Sequence, residues 1–185
     1  MIRSISRTSF TTALAAALVL ATPVAVHAQA VGNADAAIAA IRGNWRSMAS
    51  MVTRSAEMMP EADYGYRPVA TVRTFGELIG HVAGAQFSIC AAALGDKPRA
   101  EDAVEKSATT KAALVQAMKE STAYCEKAYA QNPVALAGTI ELFGDRVTRY
   151  AAISLNAVHN GEHYGNLVTY LRMKGMVPPS SQASR

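Results

Sequence analysis

From Ala34 onward the apolar residues recur every three or four positions, and the periodic runs are separated by connections of a dozen residues or more. This pairing of long helices with long connections restricts the fold more than any other feature of the chain. The first run, Ala34 to Met59, places Ile38, Ile41, Trp45, Met48 and Val52 on one face and stops at Pro60. The second, Thr74 to Leu94, aligns Leu78, His81, Val82, Ala85 and Ile89, with Gly95 and Pro98 as stop signals. The third, Ser107 to Ala130, carries Val115, Met118, Thr122, Cys125 and Tyr129, and Asn132-Pro133 breaks it. A fourth starts at Asp145 or Thr148 and runs to about Lys174, where Gly175 and Pro178-Pro179 prevent continuation. Simple antiparallel neighbours need only a few connecting residues. A dozen extended residues reach roughly 40 Å, and a 20-residue helix is about 30 Å long. At least one of the connections 60–73, 95–106 and 131–144 can therefore cross the bundle and return the chain in a parallel direction. The expected fold is all-α, a four-helix bundle with long crossover connections and non-sequential neighbours. Val134 to Phe143 has strand character but no obvious partner strand.

The N-terminus reads as an export signal. Arg3 and Arg7 precede an apolar run from Thr11 to Val26, and small residues offer cleavage after Ala28 or Ala30. No cysteine stands directly after the run and no arginine pair precedes it, which points to Sec-type export of a protein without a lipid anchor. The expected organisation is a signal peptide over 1–28, one domain over 31–179 and a loose tail over 180–185. Loss of Arg3 and Arg7 lowers the formal charge from +4 to +2, so the basic isoelectric point says little about partners. There is no basic block with interleaved aromatics, which argues against nucleic acid. No second apolar run of membrane length is evident, so the mature chain is expected to be periplasmic or extracellular with no membrane span. Homodimerisation is left open.

Outside the signal region the chain has three histidines. His159 and His163 stand four apart, on one helical face, one turn above the other. His81 lies on a different helix. A lone histidine beside Leu78 and Val82 is usually a core residue, and a pair four apart also occurs by chance. Here every remaining histidine is used, and two helices supply them. Together they form a candidate facial triad for one divalent ion, with coordination positions left open. A histidine set without matching cysteines suits zinc, nickel or another first-row ion.

Several segments resemble the DinB-like superfamily of metal-dependent enzymes. They are Tyr66-Arg67-Pro68, Arg73 to His81, His159 to Gly175 and Pro178-Pro179. The resemblance spans almost all of the mature chain. It implies a four-helix bundle holding a divalent metal, often nickel or zinc, through His81 on the second helix and His159 and His163 on the fourth. Characterised relatives include thiol-dependent transferases and a thiol-dependent isomerase. Those enzymes work in the cytoplasm, whereas this chain carries an export signal.

Other residues invite attention. His159 to His163 fits the H-x-x-E-H string of inverted zinc peptidases, but no acidic residue follows Glu162 to act as third ligand. Glu162 points roughly 100° away from His163; it is either solvent-facing, the simpler reading, or a base at the rim. Glu77, one turn before His81, is a candidate outer partner for an imidazole N–H, a fourth ligand or a surface charge. Gly161 and Gly165 are unusual within a long helix and suggest close helix packing or room for substrate. Tyr164 and Tyr170 are core or pocket residues. Cys90 and Cys125 would lie roughly 20 Å apart if their helices were antiparallel and level if parallel; a bridge and two buried thiols both remain open. The functional expectation is a metal-dependent hydrolase of a small molecule. The alternatives are a non-catalytic metal- or ligand-binding protein and a thiol-dependent S-transferase.

Overall fold

The computed structural model describes residues 22–182, with side-chain surroundings from Ala34 onward. Of the expected export segment, residues 1–21 lie outside the described part, and residues 22–30 form the opening turns of the first helix. Four long helices carry the fold: α1 (Thr22–Met58), α2 (Phe75–Leu94), α4 (Lys111–Tyr129) and α6 (Arg149–Met173). Two short helices, α3 (Ala103–Ser107) and α5 (Pro133–Leu136), and a hairpin of β1 (Thr139–Leu142) and β2 (Asp145–Thr148) fill the connections. The expected all-α bundle is present, with this small hairpin added.

Local chemistry sets the ends of the helices. Thr74 accepts from the Glu77 amide at 3.2 Å while the Glu77 carboxylate accepts from the Thr74 amide at 2.7 Å, a reciprocal cap for α2. Thr110 and Thr148 cap α4 and α6 in the same way, without the return bond. The third helix therefore starts at Lys111 rather than Ser107. The fourth starts after Thr148, because Asp145 is still in strand. β1 finds its partner directly after it: Phe143 (φ 52°) and Gly144 (φ 92°) form a tight left-handed turn that pairs Leu142 with Asp145 and Thr139 with Thr148.

Contacts along the helices give their directions. Gly76 of α2 lies against Leu114 of α4, Gln86 reaches Ser121, and Cys90 is bridged to Cys125. Both series rise together, so α2 and α4 are parallel, and the 95–110 connection is the crossover. Against α6 the order reverses: His81 meets His163, Gln86 meets Asn160, and Ala93 meets Arg149. Parallel packing puts Cys90 and Cys125 level, with Cα atoms 5.3 Å apart, and they form a disulfide. Trp45 stacks on Tyr129 at 4.2 Å in the centre of the core, and the Tyr129 hydroxyl donates to the Ile153 carbonyl at 2.7 Å. The α2 helix is itself long and apolar enough to cross a membrane, contrary to the sequence expectation, but 89% of the qualifying window is buried by its neighbours.

The C-terminal segment is not loose at its start. Tyr164 donates to the Ser180 hydroxyl and accepts from the Ser180 amide, each at 2.8 Å, and Gln182 accepts from Arg54 at 2.6 Å. The expected tail is thus tied to α1 and α6 as far as Gln182.

Candidate metal centre

His81 projects from the second turn of α2, and His159 and His163 from successive turns of α6. Antiparallel packing brings the three rings together at one height. Their Nε2 atoms form a nearly equilateral triangle with sides of 3.2, 3.2 and 3.1 Å. The triad expected from sequence is therefore assembled. An ion bound at about 2.0–2.1 Å, with angles between octahedral and tetrahedral, requires nitrogens roughly 2.9–3.4 Å apart, so the donor set fits a divalent ion.

The outer partners of His81 agree with Nε2 ligation. His81 Nδ1 lies 3.5 Å from Glu101 Oε1 and 3.9 Å from Glu105 Oε2. Two carboxylates there favour a proton on Nδ1 and leave the Nε2 lone pair facing the other rings. The His163 Nδ1 meets the Asn166 amide at 3.3 Å. The His159 Nδ1 is buried with no hydrogen-bond partner among the described residues. Burial is the main cause of a pKa lowered to about 4 at His81 and about 3 at His159, assisted by the neighbouring rings and the positive charge of Arg73. Burial also lowers His163. Neutral imidazoles are the form that binds metal.

The two glutamates come from the crossover, not from the helices that bear the histidines. Their approach depends on glycines four apart that flank His81. A Cβ on Gly84 would stand 1.9 Å from the Glu101 carbonyl oxygen, and one on Gly80 would stand 2.8 Å from the Glu105 Cα. Only a bare backbone lets the crossover lie this close to α2. Sequence reasoning missed both carboxylates, because acids in a connection have no periodic relation to a distant histidine. Gly80 and Gly84 were the readable signal.

The other candidates do not join the site. Glu77 is engaged in capping α2, and these hydrogen bonds hold its carboxyl below the usual range. Glu162 is exposed to solvent. Gly161 meets only the Met48 side chain at ordinary contact distance, and nothing lies within 4 Å of a Cβ at Gly165. Neither glycine is needed for close packing.

A cleft of about 630 Å³ opens beside the triad, and His163, Glu105, Arg73, Asn166 and Tyr170 line it. Arg73 Nε donates to Glu105 Oε1 at 3.0 Å, so the crossover is tied to the cleft wall as well as to His81.

Fold and site together define a helical-bundle protein with a three-histidine cluster able to hold one metal ion. The profile of the DinB superfamily matches residues 33–167, and the chain belongs to that superfamily. A DinB-like protein from Bacillus cereus superposes with a TM-score of 0.65 at 13% identity, covering 75% of this chain and 93% of the other. One from Bacillus subtilis gives 0.60 at 22% identity, covering 77% and 99%. A mycothiol-dependent maleylpyruvate isomerase gives 0.61 at 18% identity, covering 70% of this chain; this chain spans only 60% of that enzyme. No curated protein matches the chain significantly.

Proposed function

We propose that the protein is an exported metal-dependent hydrolase of a small molecule, with one zinc or nickel ion held by His81, His159 and His163. The observation that carries this reading is the Nε2 triangle, three neutral nitrogens at metal-binding spacing beside a ligand-sized cleft. An ion there supplies Lewis acidity, which activates water or polarises a substrate oxygen. The residues around it have separate tasks. Three protein ligands leave positions for water and substrate. Glu101 and Glu105 orient His81. Glu105 also lines the cleft, where Arg73 holds its carboxylate.

The buried Cys90–Cys125 bridge supports export, because disulfides persist in oxidising compartments. Cleavage after Ala28 or Ala30 would remove only the opening turns of α1, ahead of Ile38, where the described core of that helix begins.

A second reading is thiol-dependent transfer or isomerisation, favoured by the structural likeness to the mycothiol-dependent isomerase. Elemental analysis of purified protein should find close to one divalent ion per chain. A panel of simple esters, amides and phosphates, run with and without added thiol, then separates the readings. Metal-dependent, thiol-independent turnover supports hydrolysis, turnover only with thiol supports the second reading, and metal retention without turnover identifies a binding protein.

A further inference from the structure

We propose that the cleft takes a small organic acid, its carboxylate on Arg73 and its other end at the three histidines. This deepens the reading above and rests on it for the metal-facing end only. Among the residues lining the cleft, Arg73 is the one cation and Glu105 the one carboxylate. Glu105 occupies the Nε edge of the guanidinium at 3.0 Å, and neither Nη atom makes a hydrogen bond within the described residues. The two Nη donors that match a carboxylate are thus free, while the third is held in place. The backbone beneath is fixed too: the Tyr170 hydroxyl donates to the Arg73 carbonyl at 2.6 Å, and the next residue, Thr74, caps α2. An arginine so anchored loses little freedom when it binds an anion.

The remaining lining suits a short, partly apolar body. Val69, Val72 and Leu78 contribute apolar surface to the cleft, and Thr71, Asn166 and Thr169 contribute polar groups. Val69 is 57% exposed and Val72 39%, both available for contact. A divalent ion together with the Arg73–Glu105 pair makes the site cationic, which favours an anion. A carboxylate fits better than a phosphate. A phosphate dianion would lie against the Glu105 charge with a single arginine to neutralise it.

The test uses two hydroxamates as probes on cobalt-loaded protein, read by the visible spectrum of the ion. Acetohydroxamate can chelate the metal but cannot reach Arg73, whereas succinic monohydroxamate carries a carboxylate for it. The carboxylated probe should bind about ten- to a hundredfold tighter. Arg73→Met should erase that advantage and Arg73→Lys should keep part of it, the advantage being read as the ratio of the two probes' affinities within each protein. Equal affinity of the two probes for the unsubstituted protein, or an advantage retained in Arg73→Met, overturns the proposal. A metal-free arm separates the two claims: succinate and methyl phosphate are titrated against the apo-protein, following amide resonances of Thr71 to Thr74. Saturable shifts with succinate that vanish in Arg73→Met support the acid site even if neither hydroxamate binds, an outcome that would sink the open-metal reading alone. If neither hydroxamate binds and succinate also leaves these resonances unmoved, both readings fail. Stronger shifts with methyl phosphate than with succinate would overturn the choice of carboxylate.

Discussion

Gly84→Ala tests whether the crossover serves the metal centre. The added Cβ would stand 1.9 Å from the Glu101 carbonyl oxygen, where ordinary contact begins at 3.4 Å. The obstacle is backbone, so no rotamer change relieves it, and the crossover must retreat by about 1.5 Å. Glu101 Oε1, now 3.5 Å from His81 Nδ1, would move to roughly 5 Å, and its electrostatic hold on the Nδ1 proton would weaken. Loss of an outer partner of a metal-bound histidine typically costs ten- to a hundredfold in metal affinity, or about 1.4–2.7 kcal/mol. Overpacking adds about 1–3 kcal/mol of destabilisation. Zinc affinity is read by competition with a chromophoric chelator, with circular dichroism confirming that the bundle persists. Glu101→Gln combined with Glu105→Gln should lower the affinity without the overpacking cost. Gly43→Ala and Gly165→Ala meet nothing within 4 Å and serve as controls; they should leave affinity unchanged and gain up to about 1 kcal/mol of stability. Wild-type zinc affinity in Gly84→Ala, or an equal loss in Gly43→Ala, would refute the reasoning.

Changing His159 and His163 to Ala together should abolish metal retention in elemental analysis; full occupancy in that variant would remove the triad from consideration. The metal-free protein should lose stability as pH falls from about 6.5 toward 4. The unfolded chain protonates its histidines near 6.5, while burial holds His81 at about 4 and His159 at about 3, so the unfolded state takes up protons first. By pH 5.5 the loss should be on the order of 1 kcal/mol per histidine in urea unfolding, and saturating zinc should reduce it; an apo-protein equally stable at pH 7.5 and 5.5 contradicts this. Replacing Cys90 and Cys125 with Ala opens a loop of 35-residue separation, and the chain-entropy relation then gives a loss of about 3–4 kcal/mol. Calorimetry should show a melting point lower by about ten degrees, and an unchanged value would mean that the bridge contributes little.

Helix number and the three-histidine cluster were legible because each rests on a repeat of 3.6 residues. Ile38, Trp45 and Val52 mark one buried face, and a pair of histidines four apart needs only a helix to converge. Reading crossover from connection length also succeeded in kind, since the 95–110 segment makes α2 and α4 parallel and levels Cys90 with Cys125. What stayed hidden depends on tertiary approach. The β1–β2 hairpin escaped because Phe143-Gly144 lacks the usual Asn or Asp at its first position, yet the backbone still turns left-handed there. Glu77 is correctly placed to serve His81 by spacing alone, but a Thr three residues earlier claims its carboxylate as a cap.

The position of Glu101 and Glu105 explains how a connection that looks like spare chain becomes part of the centre. A parallel α2–α4 pair obliges the chain to travel back along the bundle, and this chain takes the route across the Gly80–Gly84 face of α2. The return path then delivers two carboxylates to the outer nitrogen of His81 and one to the Nε edge of Arg73. Topology and site are therefore coupled through one segment. A shift of the crossover would alter the orientation of His81 and the aim of Arg73, the one cation among the described residues lining the cleft, together. Metal affinity and anion affinity should accordingly fall together in Gly84→Ala, whereas Arg73→Met should lower anion affinity far more than metal affinity. If anion binding survives Gly84→Ala while metal binding is lost, Arg73 is held by α2 and Tyr170 without help from Glu105, and the coupling ends at His81.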